Sequence, residues 1–209
     1  MSSLAVGAQR ASSQRVAIGF IVALFAAVTA APSVSAATLD SAASPGSSAT
    51  IAVDATTTPE SYYLRLLNCT RTGGWVTSTG SCLGYGSGRY SRYVSPIRYS
   101  TGITLNVSRP YARLLAVRNK CDHFLDHDPG YRLRRAGYRG YAWGENIGCS
   151  WGMTVYRSIL ASHRSFQAEK WTNGGHWRNI KNARFRYVGI GVASYAGRVR
   201  LVTDFYSPT

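Results

Sequence analysis

The sequence has 209 residues, with 24 Lys and Arg against nine Asp and Glu, and so carries a formal net charge of +15. Such an excess of basic side chains favours anionic partners. Helix-turn-helix, zinc-finger and RNP-type patterns are absent, which argues against specific nucleic-acid binding. There is also no HExxH zinc helix and no GxSxG nucleophile elbow, which excludes two common hydrolase classes.

The first 36 residues have the order of a secretory signal peptide. Arg10 and Arg15 form a positively charged start, residues 16–31 are an uncharged apolar run, and residues 34–36 place small side chains where a signal peptidase cleaves. We therefore predict a signal peptide over 1–36 and a secreted, extracellular chain. A retained membrane anchor is the alternative, although the run is short for a bilayer span of roughly 20 residues. No later segment is long and apolar enough to cross a membrane.

Composition divides the remaining chain into a spacer and one folded region. Residues 37–59 are rich in Ala, Ser and Thr and lack aromatic side chains, so they cannot bury enough apolar surface to offset their ordering entropy. We predict a flexible linker there. About 150 residues follow, which is enough for one domain with a real core. This domain is predicted over 60–209, with a Gly-, Ser- and Tyr-rich insertion of loops and short strands at about 71–108.

The helices are predicted from apolar spacing and from residues suited to helix ends. Ser108 and Thr154 are expected to cap the two longest helices. In chain order, helices are predicted over 60–70, 110–124, a short stretch opened by Pro129-Gly130, 153–170 and 176–182.

Two alternating stretches at the C-terminal end predict an antiparallel hairpin. Residues 185–195 and 198–206 each alternate, with a turn near 195–197. Val188, Ile190 and Val192 share one face of the first stretch. Helices followed by such a hairpin favour an α+β sandwich over a doubly wound sheet.

Four cysteines, Cys69, Cys82, Cys121 and Cys149, lie in the predicted secreted part. An even number in an oxidising compartment indicates two disulfides, for which three pairings exist. We favour Cys69–Cys82 and Cys121–Cys149, because each pair is local and brackets a Gly-rich segment. A single zinc site with four thiolates is the alternative, and the lack of any CxxC spacing argues against it.

The side chains that could carry chemistry are four histidines and a few acids. His123 follows Cys121 by two residues and Glu145 precedes Cys149 by four, so a Cys121–Cys149 bridge would bring them together, because bridged Cα atoms lie within about 7 Å. We interpret Glu145, between Gly and Asn, as a carboxylate that accepts backbone N–H groups and orders a loop.

The other histidines are expected to differ in role. His176 follows an Asn-Gly-Gly turn and is expected to line a pocket at the start of a helix. His163 lies about 120° from Glu169 on a helix, so the two cannot easily share a site, and we predict a histidine at the edge of the core. His127, between two aspartates, is predicted to be exposed.

Three stretches, "GYRLRRAGYRGYAWGENIG", "NGGHWRNIKNARFRYVGIGVA" and "GRVRLVTDFY", resemble the CAP superfamily (SCP/PR-1-like domains, the cysteine-rich secretory protein family), and most closely its secreted bacterial branch. The start "LLNCTR" is also similar to the family's first helix. The matching positions are His123, Arg132 with 136–138, 144–146, Gly175-His176 with Asn179-Ile180, 188–191 and 201–206.

This resemblance implies an α-β-α sandwich with a central cavity lined by two His and two Glu, which can hold a divalent metal such as zinc. His123, Glu145 and His176 carry over by position. The family's second Glu lies on the helix that precedes the "GH" box, where this chain has serines instead. Glu169, seven residues before His176, is the acid that remains for that place.

From this resemblance and the charge, we expect a non-enzymatic extracellular domain that requires no cofactor and binds an anionic envelope component, a lipid or a protein partner. The alternative is a metal-assisted hydrolase of peptide or cell-wall material, in which two imidazoles and a carboxylate hold zinc and Glu145 is the candidate base.

Overall fold

The structure, a computed structural model, describes residues 57–140 and 142–208. The predicted signal peptide and most of the predicted linker lie outside these residues. The last linker residues already contact the domain: the Thr58 side chain accepts the Ser61 N–H at 3.1 Å and caps the first helix, and Tyr156 donates its hydroxyl proton to the Thr57 carbonyl.

Six helices and six strands are described. The helices are α1 (Pro59–Arg71), α2 (Thr101–Ile103), α3 (Arg109–Arg118), α4 (Pro129–Arg135), α5 (Val155–Ala168) and α6 (Gly175–Lys181), with a π-helical turn (Thr104–Ser108) before α3 and a 3₁₀ turn (Glu169–Trp171) after α5. The strands are β1 (Trp75–Val76), β2 (Cys82–Leu83), β3 (Arg98–Tyr99), β4 (Ala142–Trp151), β5 (Tyr187–Tyr195) and β6 (Arg198–Ser207).

A four-stranded sheet in the order β3-β5-β6-β4 forms the centre of the domain. β5 and β6 make the predicted hairpin, and the turn consists of Ala196 and Gly197, both with positive φ (47° and 75°), as a two-residue hairpin turn requires. Within the described part of the chain, β4 pairs antiparallel with β6 only and is an edge strand of the sheet. β3 pairs parallel with β5 at the other edge.

Helices cover both faces of this sheet. On one face, α1, α5 and α6 pack on β5 and β6 through a large apolar cluster that includes Leu66, Ile159, Ile180, Leu201 and Phe205. On the other face, α3 packs through Tyr111, Ala112 and Leu115 against Ile147 and Val202. The predicted α+β fold, an α-β-α sandwich with a C-terminal antiparallel hairpin, is confirmed. Across 57–140 and 142–208, no helix has the length and apolarity needed to cross a bilayer.

Both favoured disulfides are present. Cys69–Cys82 joins α1 to β2 with a Cα separation of 5.9 Å, and Cys121–Cys149 joins the loop after α3 to β4 with 6.1 Å. The second bridge fixes the His123 loop to the edge strand of the sheet.

Three expectations about helix ends are wrong. α3 ends at Arg118 rather than near 124, because Asn119 adopts the left-handed conformation (φ 50°) that closes helices. Ser108 does not cap α3, since its backbone is itself helical and its hydroxyl donates to Asp204 at 2.7 Å. Thr154 stands at the start of α5 in an extended conformation, but its side chain makes no capping hydrogen bond.

Candidate functional site

His123 and Glu145 form a direct pair. The Nδ1 atom of His123 lies 2.7 Å from the Oε1 atom of Glu145, whose side chain is only 1% exposed while that of His123 is 39% exposed. Because an ionised carboxylate can only accept, Nδ1 donates a proton to it, and in the neutral form of the ring Nε2 is then the acceptor. The pair therefore presents one oriented imidazole at the surface.

Glu145 neither lies in a loop nor accepts backbone N–H groups through its carboxylate, which corrects our interpretation. It lies in the middle of β4, directly opposite Asp204 of β6. Its carboxylate accepts from the side chains of His123 and Arg132 instead of from backbone N–H groups. The strand is held in the sheet by its backbone pairing with β6, and the Glu145 carboxylate bonds side chains on the α3 face.

Arg132 of α4 completes this arrangement, although the sequence pattern identified it only as part of a motif match. Its guanidinium pairs with Glu145, donates to the His123 carbonyl at 2.9 Å and to the His127 carbonyl at 2.6 Å, and lies 3.5 Å from the centre of the Tyr111 ring. One buried cation thus holds both Glu145 and the loop that carries His123.

Asp204 is a second buried carboxyl beside Glu145. Its Oδ2 atom accepts from Ser108, while Oδ1 has no hydrogen-bond partner in the part of the chain that the structure describes. Burial, and then the charge of Glu145, raise the pKa of Asp204 well above its ordinary value. Both effects favour the protonated, neutral form of Asp204. An acid inside the strand-like stretch "RLVTDFY" is the sequence signal that could have identified it.

His176 and Glu169 form a second pair. Glu169 accepts from His176 Nδ1 at 2.5 Å, from the His176 backbone N–H at 2.9 Å and from the Trp177 N–H at 3.3 Å. Burial alone would raise the pKa of Glu169, but the hydrogen bond and charge of His176, with the two backbone N–H groups, lower it. The His176 ring also stacks on Phe166 at 4.3 Å between ring centres. In the neutral imidazole, the Nε2 atom is therefore the acceptor left to a ligand.

Two asparagines join the pairs. Asn146 donates to the His176 carbonyl at 3.1 Å, and Asn179 of α6 donates to the Asn146 side chain at 2.9 Å and to the Glu145 carbonyl at 3.1 Å. The "GEN" strand and the "GHxxNI" helix are thus locked to each other. The Glu145 carbonyl, in addition, points away from β6 toward the free edge of β4.

A groove of about 500 Å³ runs along this free edge, between β4 and α5. Gly148 allows the approach of α5, since a Cβ there would lie 2.3 Å from the Ser162 hydroxyl oxygen. Trp151 (78% exposed) and Met153 (48% exposed) stand at the rim. The other lining residues include Ile147, Ala161, Phe166, His176 and the Cys121–Cys149 bridge.

The remaining histidines have other surroundings. His127 is exposed, as predicted, and contacts Asp126. His163 is fully buried rather than at the core edge, and burial lowers its pKa to about 3. The amide of Gln167 is fixed by the Val76 backbone, so Thr70 donates to its Oε1 atom and must accept from His163 Nε2. His163 is a structural residue.

The four residues predicted to share a cavity thus occur as two pairs, His123–Glu145 and His176–Glu169. Over 57–140 and 142–208, no group of three or more His, Cys, Asp or Glu is close enough to hold a metal ion. Both carboxylate oxygens of Glu145 are already engaged, by His123 and by Arg132. This arrangement does not fit a metal held by two histidines and two glutamates.

Comparisons with known proteins bear on the fold. No protein-family model matches the chain, and no curated protein is significantly similar to it. An extracellular protein containing an SCP domain from Bacillus anthracis str. Ames is 21% identical over 55% of this chain and 34% of its own, with a TM-score of 0.40. NaASP2 with Zn²⁺ is 15% identical over 72% and 80%, with a TM-score of 0.47. An outer surface protein from Borrelia burgdorferi is 15% identical over 56% and 80%, with a TM-score of 0.41.

In fold class and in the order of its motifs, the chain resembles a CAP domain. The TM-scores of these solved structures are below 0.5, so the fold is assigned from the chain's own topology, and no ligand or activity is carried over from them. What the CAP-like domain does must follow from its own residues.

Proposed function

We propose that the CAP-like domain is an extracellular binding domain that holds an extended peptide segment of a partner protein along the free edge of β4, without cleaving it. The observation that carries the proposal is the groove beside an unpaired strand edge. Peptides commonly bind by adding a strand to such an edge, because main-chain hydrogen bonds supply affinity and adjacent pockets supply specificity. The predicted signal peptide supports the extracellular setting.

The backbone of β4 has the polarity that strand addition needs. The Glu145 carbonyl points to the outer edge, where Asn179 binds it. Because backbone direction alternates along an antiparallel strand, the N–H and C=O groups of Ile147 and Cys149 point the same way. Both residues line the groove. A peptide lying there would pair with these groups without displacing any strand.

The walls of the groove favour a peptide with apolar side chains and one donor. Trp151, Met153 and Phe166 offer apolar contact. His176 offers Nε2 as an acceptor, since Glu169 holds its other nitrogen. We therefore expect preferred peptides to combine aromatic or branched residues with a hydroxyl, amide or basic side chain.

The same geometry disfavours the hydrolase alternative. Glu145, its candidate base, is buried with both oxygens engaged, so it cannot reach a water molecule in the groove without breaking the Arg132 pair. We infer a role in orienting His123 instead.

Selection from a displayed library of random 12-residue peptides tests this proposal. Ala161→Trp would fill the groove, whereas Ala168→Trp adds the same ring to the exposed end of α5, outside the groove. We expect enriched peptides to bind the wild type and the Ala168→Trp variant and to lose at least tenfold in affinity for the Ala161→Trp variant.

Equal binding to both tryptophan variants, or no enrichment at all, would contradict the groove as the site. Each enriched peptide is also incubated with the wild type and with Glu145→Gln and followed by mass spectrometry. Cleavage by the wild type that Glu145→Gln abolishes would establish the hydrolase alternative in place of our proposal.

A further inference from the structure

A second groove, of about 520 Å³, lies at the opposite edge of the sheet, beside β3. Among residues 57–140 and 142–208, no acidic residue lines it, whereas three arginines and two tyrosines do: Arg71, Arg98, Arg186, Tyr93 and Tyr187. Arg98 and Arg186 are exposed, and their backbones are joined where β3 meets β5, since the Arg98 N–H donates to the Arg186 carbonyl at 3.0 Å. We call this feature the basic groove.

The inner wall of the basic groove contains a buried arginine whose hydrogen bonds go to backbone carbonyls. Arg71, 1% exposed, donates to four carbonyls: those of Ser95 (3.1 Å), Ile180 (2.7 Å), Asn182 (3.2 Å) and Phe185 (3.2 Å). In residues 57–140 and 142–208, no carboxylate forms an ion pair with it. Carbonyl dipoles hold the guanidinium in place but leave its net charge in the wall.

Further cations surround this wall. Lys181 donates to the carbonyls of Thr70, Arg71 and Arg92. Burial, followed by the charges of Arg71, Arg92 and Lys170, lowers the pKa of Lys181 to about 8. Burial also lowers the pKa of Arg71 to about 10. The protein therefore holds several positive charges close together, which is electrostatically unfavourable. An anion bound in the basic groove would offset this repulsion.

We propose that the basic groove binds an anionic glycan, with Arg98 and Arg186 pairing to its carboxylate or phosphate groups. Guanidinium groups fit both of these anions through two parallel hydrogen bonds. Tyr93, 50% exposed, supplies an aromatic face and a hydroxyl beside the arginines, which suits a ring that is apolar on one side and polar at its margin. The volume is that of a site for a few such rings. This site is separate from the β4 groove and does not depend on the proposed peptide binding.

Binding is measured by calorimetry at about 0.15 M salt, where contacts beyond roughly 8 Å are screened. The probes are polygalacturonate for carboxylate, phosphomannan for phosphate, and uncharged mannan. Arg98→Gln/Arg186→Gln is compared with Arg157→Gln/Arg164→Gln, which removes the same charge from exposed positions of α5. Arg71 is left intact because its carbonyl contacts support the fold.

We expect at least one anionic polymer to bind and mannan not to bind. The Arg98/Arg186 double variant should weaken binding at least tenfold, and the α5 double variant less than threefold. Tyr93→Ala should weaken glycan binding while leaving the binding of inorganic polyphosphate unchanged. Whichever anionic polymer binds identifies the acidic group.

Equal losses in the two double variants would mean that net charge alone is responsible, and the proposal would be overturned. Failure of both anionic polymers to bind would overturn it too. Tighter, Arg98- and Arg186-dependent binding of a single-stranded oligonucleotide would replace the glycan as the ligand.

Discussion

Replacing Arg132 by Met tests whether one buried cation holds the His123 site. The guanidinium pairs with Glu145, lies on the Tyr111 ring and donates to the carbonyls of the His123 loop. Met keeps much of the apolar volume but leaves Glu145 uncompensated beside Asp204. Because removing one partner of a buried ion pair costs about 3–5 kcal/mol, we expect a loss of that size in the free energy of unfolding at pH 7.

The loss should depend on pH with a defined sign. Without Arg132, the ionised forms of Glu145 and Asp204 lose their neighbouring cation, and the pKa of Asp204, already raised by burial, rises further because the charge of Arg132 lowers it in the wild type. A raised pKa contributes stability that is complete below the ordinary carboxyl value, near 4, and is lost as the pH rises. The gap between wild type and Arg132→Met should therefore widen from pH 4 to pH 8.

Urea unfolding followed by tryptophan fluorescence, with disulfides intact, measures this gap. The matched control is Arg134→Met, at an exposed position of the same helix, which should change stability by no more than about 0.5 kcal/mol. A loss below about 1 kcal/mol in Arg132→Met, or a gap that is constant with pH, would refute the role assigned to Arg132.

Three further substitutions test other contacts of the fold. Asp204→Asn should leave the free energy of unfolding at pH 7 unchanged or higher, because a protonated acid resembles an amide and the raised pKa of Asp204 lowers stability above pH 4. A loss above about 2 kcal/mol, measured by urea unfolding, would indicate that Asp204 is ionised. Thr70→Val should lower the free energy of unfolding by about 1–3 kcal/mol, because it leaves His163 and Gln167 without their shared hydroxyl. Thr70→Ser keeps the hydroxyl and should lower it much less. Equal losses in the two variants would contradict the contact. Cys121→Ser/Cys149→Ser should lower thermal stability by about 2–4 kcal/mol, and an unchanged melting temperature would show that the bridge does not support the fold.

Several parts of the fold could be predicted because their causes are local. The terminal hairpin follows from alternation and from a turn in which Gly197 tolerates positive φ. The two disulfides join cysteines that are near in sequence. The Cys121–Cys149 bridge alone predicts that His123 lies near Glu145, so this pair could be predicted without knowledge of the tertiary fold. The signal peptide, outside the described residues, stays a prediction.

The strand nature of β4 could not be predicted, because its causes are not local. "AWGENIGCSW" contains two glycines, an acid and an amide, which are poor strand formers. Pairing with β6 over ten residues overrides that preference, and Gly148 is needed only because α5 approaches so closely. The proximity of Glu145 to Asp204 depends on the same register, and Arg132 reaches Glu145 from a separate helix. The role of Glu169 was also obscured, because its pairing with His176 depends on the 3₁₀ turn after α5.

Amide hydrogen exchange along β4 tests the central claim, that the free edge of this strand is the binding face. The domain is compared alone and with a peptide enriched in the selection. The account predicts that protection increases at the amides of Ile147 and Cys149, which point to the edge, and stays unchanged at β3. Protection that is unchanged at both β4 amides in the presence of bound peptide would contradict it.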